Sequence, residues 1–383
     1  MSEIDTATSA ISDQVQQVTE SDPEVTVSSR AEEIGEQLFI ACVGAMDLLC
    51  VYIGIQVGLY PALAQGGQQT AAELAGRTGL DTRYVQEWLE QQAIAGLLTA
   101  EGDDAQTRRF AMAEGVEEVL LAETSPFYLA PLSALVPTIC DVLPKLENAF
   151  RTGQGVPYAD YGPRAVALQG GLNRPWFTHS LAQEWLPQLP DIDARLRDTA
   201  RPARVADVGC GVGWAAIQLA KAYPGVRVVG VDDDAATIAR AKENAENEGV
   251  SDRVDFQLTD AAMWSGSEKF DQVTFFECIH DMPHPAAALA NAREAVAGDG
   301  AVLVMDENTA EQFTAPGDEV ERYFATSSVT WCLPQSRVPS DSAAIGTRIR
   351  PETMLALANE AGFRDVEILG IENPFWRFYR MNP

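Results

Sequence analysis

Arg204-Val205-Ala206-Asp207-Val208-Gly209-Cys210-Gly211-Val212-Gly213 is the stretch that decides how this 383-residue chain is read. A β-branched run ends in three alternating glycines, and a helical pattern at 214–223 starts directly after them. Glycines at such a junction permit a tight turn and let a ligand approach backbone N–H groups at a helix N-terminus. Further short apolar runs at 226–231, 254–258, 272–276 and 301–305 alternate with alanine-rich helical segments. That alternation predicts βαβ units, and so an α/β fold with a doubly wound parallel sheet covered on both faces. A helix is expected at 351–361 and strand-like pieces at 365–369 and 375–380.

Upstream of this half the texture differs. Residues 1–29 are polar and read as a tail. The stretch 31–65 is helical in period and apolar on most sides, which suits burial in a larger core or against another subunit. A helix-turn-helix pattern follows. Thr70 is placed to cap a helix with Glu73 at the capping-box position, Gly79 stops that helix, and Asp81 or Thr82 starts a second one running to about Leu98. The polar stretch 101–108 then leads into a short strand at 109–112, the order of a winged helix. Residues 120–200 read as mainly helical.

The bulk composition excludes several classes. There are 56 acidic against 27 Lys and Arg residues, a formal charge of −29 that repels phosphate backbones. The second helix of the helix-turn-helix carries Arg83 as its only base, against Asp81, Glu87 and Glu90, so no nucleic-acid partner is expected. No charge-free apolar run of membrane-spanning length occurs; the nearest, 38–59, is interrupted by Asp47, and no membrane partner is expected. No secretory leader pattern is seen. Six scattered cysteines without paired or metal-type spacing fit a reducing, cytoplasmic setting.

Two ligand classes use a glycine turn of this kind. Gly211-Val212-Gly213-Trp214-Ala215-Ala216 matches a dinucleotide fingerprint, with Asp232 about twenty residues on, where a ribose-binding acid belongs. The other ligand is S-adenosylmethionine, whose methionyl part would lie along Gly209, Gly211 and Gly213. Asp207 stands where a carboxylate meets the methionyl amino group. Asp232 and Asp233 end the second strand, near the ribose, and Asp260 and Ala261 end the third, near the adenine amino group. The fourth strand runs into Phe275-Phe276-Glu277-Cys278-Ile279-His280-Asp281, with Glu277 beneath the sulfonium. Each acid also has a plain structural role open to it: Asp207 as a turn cap, Asp232 and Asp260 as strand-end or turn residues, Asp233 as a solvated residue or helix cap.

The segment 203–310 resembles the class I S-adenosylmethionine-dependent methyltransferase domain, with Val205-Ala206-Asp207-Val208-Gly209-Cys210-Gly211-Val212-Gly213 as its first motif. The stretch 54–98 resembles the winged-helix dimerisation domain of two-domain, small-molecule O-methyltransferase-like enzymes. The resemblance implies a Rossmann-like catalytic domain, S-adenosylmethionine as cofactor, a small-molecule acceptor of secondary-metabolite type, and a homodimer through the N-terminal domain. The implied organisation is a tail at 1–29, the winged-helix-like domain at 30–125, a helical linker and substrate cap at 126–200, and the methyltransferase domain at 201–383 with an insertion at 310–350. The histidine of the family's "LHDW" stretch is a general base, and His280 occupies that position.

His280 also fits a buried, hydrogen-bonded role at the start of the following helix. Glu307 is positioned to orient His280, to bind substrate or to cap a helix. No metal is expected, although His280 and His284 would share one if His179 or Glu307 joined them. Met282 replaces the family's tryptophan, which leaves oxygen, carbon and nitrogen open as acceptor atom. Tyr158, Tyr161, Trp176, Phe177, His179, Tyr323 and Trp331 are the expected acceptor-pocket residues, with Arg164 and Arg174 available for an anionic substrate. The competing readings are an NAD-dependent oxidoreductase and a winged-helix transcriptional regulator.

Overall fold

A computed structural model describes residues 29–265, 269–347 and 349–383; the tail expected at 1–29 lies outside them except for its last residue. The chain divides after Glu117 into two compact units. In the first, α1 (Ser29–Gln56) is one long helix, and Gly58, in the left-handed region at φ 76°, separates it from α2 (Leu59–Gly66). The apolar stretch 31–65 is therefore two helices. Thr70 caps α3 (Ala71–Thr78) in a full capping box: its hydroxyl accepts from the Glu73 amide at 3.2 Å, and the Glu73 carboxylate accepts from the Thr70 amide at 2.8 Å. Asp81 caps α4 (Thr82–Ile94) by accepting from the Arg83 and Tyr84 amides. The wing is an antiparallel hairpin of β1 (Leu98–Glu101) and β2 (Arg109–Met112). The sequence reading missed β1, because only Leu98 of its four residues is buried and no alternation marks it.

Trp88 anchors α4 to α1. Its indole N–H donates to the Cys50 carbonyl at 2.9 Å, and the ring packs so close to Gly54 that a Cβ there would overlap it. Beyond Val51 and Gly54, α1 buries nothing fully within its own unit. Leu38, Phe39, Ile40, Val43, Met46 and Ile53 stay exposed. By length and composition α1 could cross a membrane, its best window having a mean hydropathy of 2.3, which the break at Asp47 had argued against.

The second unit opens with α5 (Leu135–Thr152), α6 (Gly162–Trp176), a π-helical segment Phe177–Trp185, and α7 (Pro190–Arg197). Then the predicted alternation appears: β3 (Arg204–Val208), α8 (Trp214–Ala222), β4 (Arg227–Asp232), α9 (Ala235–Asn247), β5 (Val254–Leu258), β6 (Phe270–Phe276), α10 (Pro285–Ala295) and β7 (Val296–Glu307). After α11 (Glu319–Ser327) and α12 (Pro351–Glu360) the chain ends in β8 (Asp365–Ile368) and β9 (Trp376–Asn382). The seven strands order as β5-β4-β3-β6-β7-β9-β8, parallel except for the pairs made by β9. Two apolar clusters fill the two faces, one around Val205, Ile217 and Phe256, the other around Val208, Leu289 and Met354. The strand order reverses direction between β3 and β6. A crevice at the carboxyl ends of those strands is where open α/β sheets hold ligands.

Candidate active site

A cavity of about 400 Å³ sits at this switch point. The glycine turn forms one wall. Gly209, Gly211 and Gly213 have φ values of 70°, 53° and 84°, a conformation that other residues adopt at a cost. The turn is also crowded: a Cβ on Gly209 would meet Cys278 at 2.7 Å, and one on Gly213 would meet the Phe256 ring at 2.7 Å. The amides of its three glycines and of Cys210, however, are already engaged. Those of Gly209 and Cys210 donate to the Val231 carbonyl, that of Gly213 to the Cys210 carbonyl, and that of Gly211 to Asp232 Oδ2 at 2.9 Å. The glycines therefore act by shape rather than as free donors, and a carboxylate stands where a dinucleotide needs an anion-binding amide.

Asp207 lies beneath the turn, 1% exposed. Its register opposite Thr274 on β6 lets the Thr274 hydroxyl donate to Oδ1 at 2.9 Å, while Oδ2 is buried with no hydrogen-bond partner. Burial pushes its carboxyl up to about 7, against the Thr274 hydroxyl and the Ala216 amide, which hold it down. At the end of β4, Asp232 also accepts from the Asp234 amide at 3.1 Å, and burial raises it to about 6. Asp233 and Asp260 lie on the cavity wall; Asp260 accepts from the Ala262 amide at 2.8 Å, and Ala261 lies beside it. Glu277 follows β6 at φ 57°, pinned by its amide's 2.7 Å bond to the Met305 carbonyl. Burial pushes its carboxyl up to about 8.

His280 is on the turn after β6 but is 2% exposed and does not reach the cavity wall. Its Nδ1 lies 2.7 Å from both Asp306 Oδ1 and Glu307 Oε2, and its Nε2 lies 3.3 Å from Asp281 Oδ1. Asp281 does line the cavity. Burial lowers an imidazole, but the Asp281, Glu307 and Asp306 carboxylates prevail and hold His280 well above its ordinary value. His280 in turn keeps Asp306 low, while burial and Asp306 push Glu307 well above the carboxylate range. Asp306 and the imidazolium thus form an ion pair beside Glu307.

His280, Asp306 and Glu307 place ligand-type atoms within 4.8 Å of one another, as do His280, Asp281 and Cys332. The 2.7 Å contacts are hydrogen-bond separations; two ligands of a tetrahedral ion with bonds of about 2.0–2.1 Å sit about 3.3 Å apart. Between His280, Asp306 and Glu307 a proton fits better than an ion. Neither of the other two histidines joins the group: His284 faces Asp341 at 3.7 Å, and His179 meets the Thr124 carbonyl at 2.5 Å.

Of the expected acceptor-pocket residues, Tyr158 and Phe177 line the cavity. Tyr161 and Trp331 pack behind Tyr158, with ring centroids 4.7 Å apart and the Tyr161 hydroxyl donating to the Thr330 carbonyl. Trp176 packs on Phe375 at 5.9 Å, Tyr323 lies beside Phe324, and His179 is off the wall. Arg164 pairs with Asp141. Arg174 pairs with Glu123 and Glu248 and stacks over Trp214 at 4.3 Å. The sequence reading overlooked the face of α6 that carries Val166, Gln169, Gly170 and Asn173 into the wall. Those four, with Phe177, recur at helical spacing, so the period was present to be read.

A Rossmann-like sheet with its cavity at this switch point and an acid beneath a glycine turn defines a nucleoside-cofactor enzyme. Comparison supplies the family. A methyltransferase-domain family model matches residues 201–349, and an Rv2258c-like winged helix-turn-helix model matches 44–119. A ubiquinone biosynthesis O-methyltransferase of Hydrogenovibrio crunogenus is 30% identical over 182 residues, covering 46% of this chain and 69% of that protein. A trans-aconitate 2-methyltransferase of Streptomyces avermitilis is 33% identical over 84 residues, covering 22% and 31%. For the first curated relatives the match spans 23 to 45% of their own length. The structure of human N-acetylserotonin methyltransferase in complex with S-adenosylmethionine superposes with a TM-score of 0.64 at 18% identity, covering 93% of this chain and 99% of that one. The chain belongs to the S-adenosylmethionine-dependent methyltransferases, in the form that carries an N-terminal winged-helix domain.

Proposed function

We propose that this protein transfers the methyl group of S-adenosylmethionine to a small organic acceptor bound in the same cavity. The observation that carries the reading is the pairing of a crowded glycine turn with acids. Asp207 Oδ2 is buried and unpartnered, ready for an ammonium, and Asp232 occupies the Gly211 amide that a pyrophosphate would need. The same pairing argues against the dinucleotide reading. Asp207 holds the methionyl amino group, with Gly209, Gly211 and Gly213 shaping the wall beside it. Asp232 and Asp233 take the ribose hydroxyls, Asp260 and Ala261 the adenine edge, and Glu277 lies near the sulfonium. When bound, S-adenosylmethionine supplies an electrophilic methyl group on a positively charged sulfur.

Tyr158, Phe177 and the inner face of α6 enclose the acceptor, exclude water and align it. A proton leaving the acceptor reaches Asp281, the carboxylate on the wall. His280 acts from behind as a positioning residue: its Nε2 lies 3.3 Å from Asp281 Oδ1, and Asp306 and Glu307 fix its ring. This gives His280 and Glu307 the acid–base part without direct contact with the acceptor. Calorimetry tests the reading. S-adenosylhomocysteine is expected to bind and NAD(H) not to; the opposite result would refute it.

The N-terminal unit pairs two copies through α1. Its exposed row of Leu38, Phe39, Val43 and Met46 is long and apolar, as such an interface needs. Asp47, in mid-helix, accepts from Gln91 of α4 at 2.8 Å, which ties α1 to its own unit and sets a carboxylate where a membrane span carries one only at a cost. All six cysteines are free thiols, which favours a reducing, cytoplasmic setting.

A further inference from the structure

The charge of the cavity wall goes further than the identity of the methyl donor. Four aspartates that the proposed function gives to the donor, Asp207, Asp232, Asp233 and Asp260, line the cavity, and Asp234 lines it beside them. Glu277 and Asp281 line the remainder, close to where methyl transfer would occur. No Arg, Lys or His side chain lines the cavity among the described residues. Three cations near the described wall are committed elsewhere. Arg174 is held by Glu123 and Glu248, Arg164 by Asp141, and the His280 imidazolium behind Asp281 is shared with Asp306 and Glu307.

The acids are not free to fold away. Backbone amides fix Asp232, Asp234 and Asp260, and the tether of Glu277 to Met305 holds its unusual backbone in place. Asp207 Oδ2, on the same wall in a residue 1% exposed, has no partner and takes the donor's ammonium, so the cavity is already built to receive one positive group; Asp281 Oδ1, on the acceptor's side, makes no hydrogen bond either. S-adenosylmethionine itself brings a net charge of only +1 against seven carboxyl groups on the wall, and those that burial raises, Glu277 above all, are drawn into their charged form by a cation arriving beside them. Coulomb interactions inside a desolvated cavity are several-fold stronger than in water. Tyr158 and Phe177 add ring faces that attract cations. Burial and the charges of Asp232, Asp234 and Asp281 all hold the Tyr158 hydroxyl in its neutral form, so this ring adds no negative charge of its own.

We infer that the methyl acceptor carries a basic nitrogen, recognised as a cation by Asp281 and Glu277, and that carboxylate and phosphate acceptors are excluded. The inference rests on the methyltransferase reading above. It also separates this chain from its relative named for trans-aconitate, a polyanion for which the described wall offers no cation.

The full-length protein is first saturated with S-adenosylhomocysteine, with binding followed by calorimetry. Three probes that share one ring and differ in one group are then titrated at low salt: tryptamine, indole-3-ethanol and indole-3-acetate. Tryptamine is expected to bind about tenfold or more tighter than the alcohol, with the acid weakest, and high salt should erase most of that gap. Asp281→Asn and Glu277→Gln should each shrink the advantage of the amine to about threefold or less, each variant being first saturated with S-adenosylhomocysteine at its own measured affinity; two variants are used in case one disturbs the fold. An acid that binds as well as the amine, an amine no better than the alcohol, or no amine binding at millimolar concentration overturns the inference and leaves the methyltransferase reading intact. Failure of S-adenosylhomocysteine to bind overturns that reading instead.

Discussion

Nδ1 of His280 lies 2.7 Å from Oδ1 of Asp306, with 3% and 1% of the two side chains exposed. Removing the imidazole strands Asp306 in the interior. Breaking one side of a buried pair costs about 3–5 kcal/mol. His280→Ala is therefore expected to lower the melting temperature by roughly 6–15 °C, as scanning calorimetry would read. Since the folded-state pKa of His280 is raised, its stabilising contribution is complete below about pH 6.5 and is lost as pH climbs through the folded value. A variant as stable as the wild type would remove this ion pair from the account.

Asp207, held at about 7, is half protonated near neutrality. An ammonium group arriving at Oδ2 favours the charged form, so ligand binding should release protons. Calorimetry of S-adenosylhomocysteine binding in two buffers of different ionisation enthalpy would detect a fractional proton released at pH 7. Asp207→Asn should abolish that release and weaken binding by about 10- to 100-fold, the effect of losing a charged hydrogen bond. Unchanged affinity would show that the methionyl amino group lies elsewhere.

Three cavity carboxyls are raised together: Asp232 to about 6, Asp207 to about 7 and Glu277 to about 8. A raised carboxyl holds a proton in the folded state that the unfolded chain releases near pH 4, so its contribution is complete below about pH 4 and lost as pH rises through the folded value. The ligand-free protein should therefore become less stable between pH 5 and pH 8, on the order of one urea-midpoint comparison to establish. Saturating S-adenosylhomocysteine should narrow the difference. The lowered pKa of Asp306 works in the opposite sense, but only below about pH 4. A midpoint that rises across this range would contradict the burial of these groups.

The glycine turn separates shape from strain. Alanine at Gly213 meets the Phe256 ring and Ala241 and sits at φ 84°, so a loss of about 2–4 kcal/mol is expected. At Gly211 nothing lies within 4 Å of the added Cβ, leaving only the cost of φ 53°, about 1–2 kcal/mol. Denaturant midpoints of the two variants should rank in that order. The reverse ranking would mean that the turn is packed differently.

The exposed row on α1 predicts a dimer. Leu38 and Met46 are 67% and 61% exposed. Leu38→Glu with Met46→Glu should convert a dimer to monomers in sedimentation at micromolar concentration, with the methyltransferase unit still folded. A wild type that is monomeric at that concentration would end the dimer proposal, and recovery of the chain with lipid vesicles would favour a membrane-facing helix.

Local chemistry made much of the fold readable. The capping box at Thr70 and Glu73, the stop at Gly79 and the glycine turn each need only a few neighbouring residues, and the succession from β3 to β7 follows from short continuous apolar runs set between alanine-rich helical segments. The helix boundary at Gly58 was missed because apolar residues continue across it, and β1 because three of its four residues face outward. In the site, Asp207, Asp232 and Asp260 could be named because strand ends fix their positions. The aromatics could not, since period alone does not tell a cavity wall from the core behind it: Tyr158 reaches the cavity, while Tyr161 and Trp331 support it.

The sequence by itself thus determined the sheet, the turn that shapes the donor site and the surplus of negative charge, because propensity, period and composition are properties of short segments. Only the tertiary structure decided what that charge does. Parallel pairing of β6 with β7 brings His280 against Asp306 and Glu307, twenty-six and twenty-seven residues away, and leaves Asp281 on the wall in its place. Packing of α6 and the strand ends gathers the acids around one cavity and leaves Arg164 and Arg174 outside it. Such convergence depends on contacts between distant segments, and no local pattern records it.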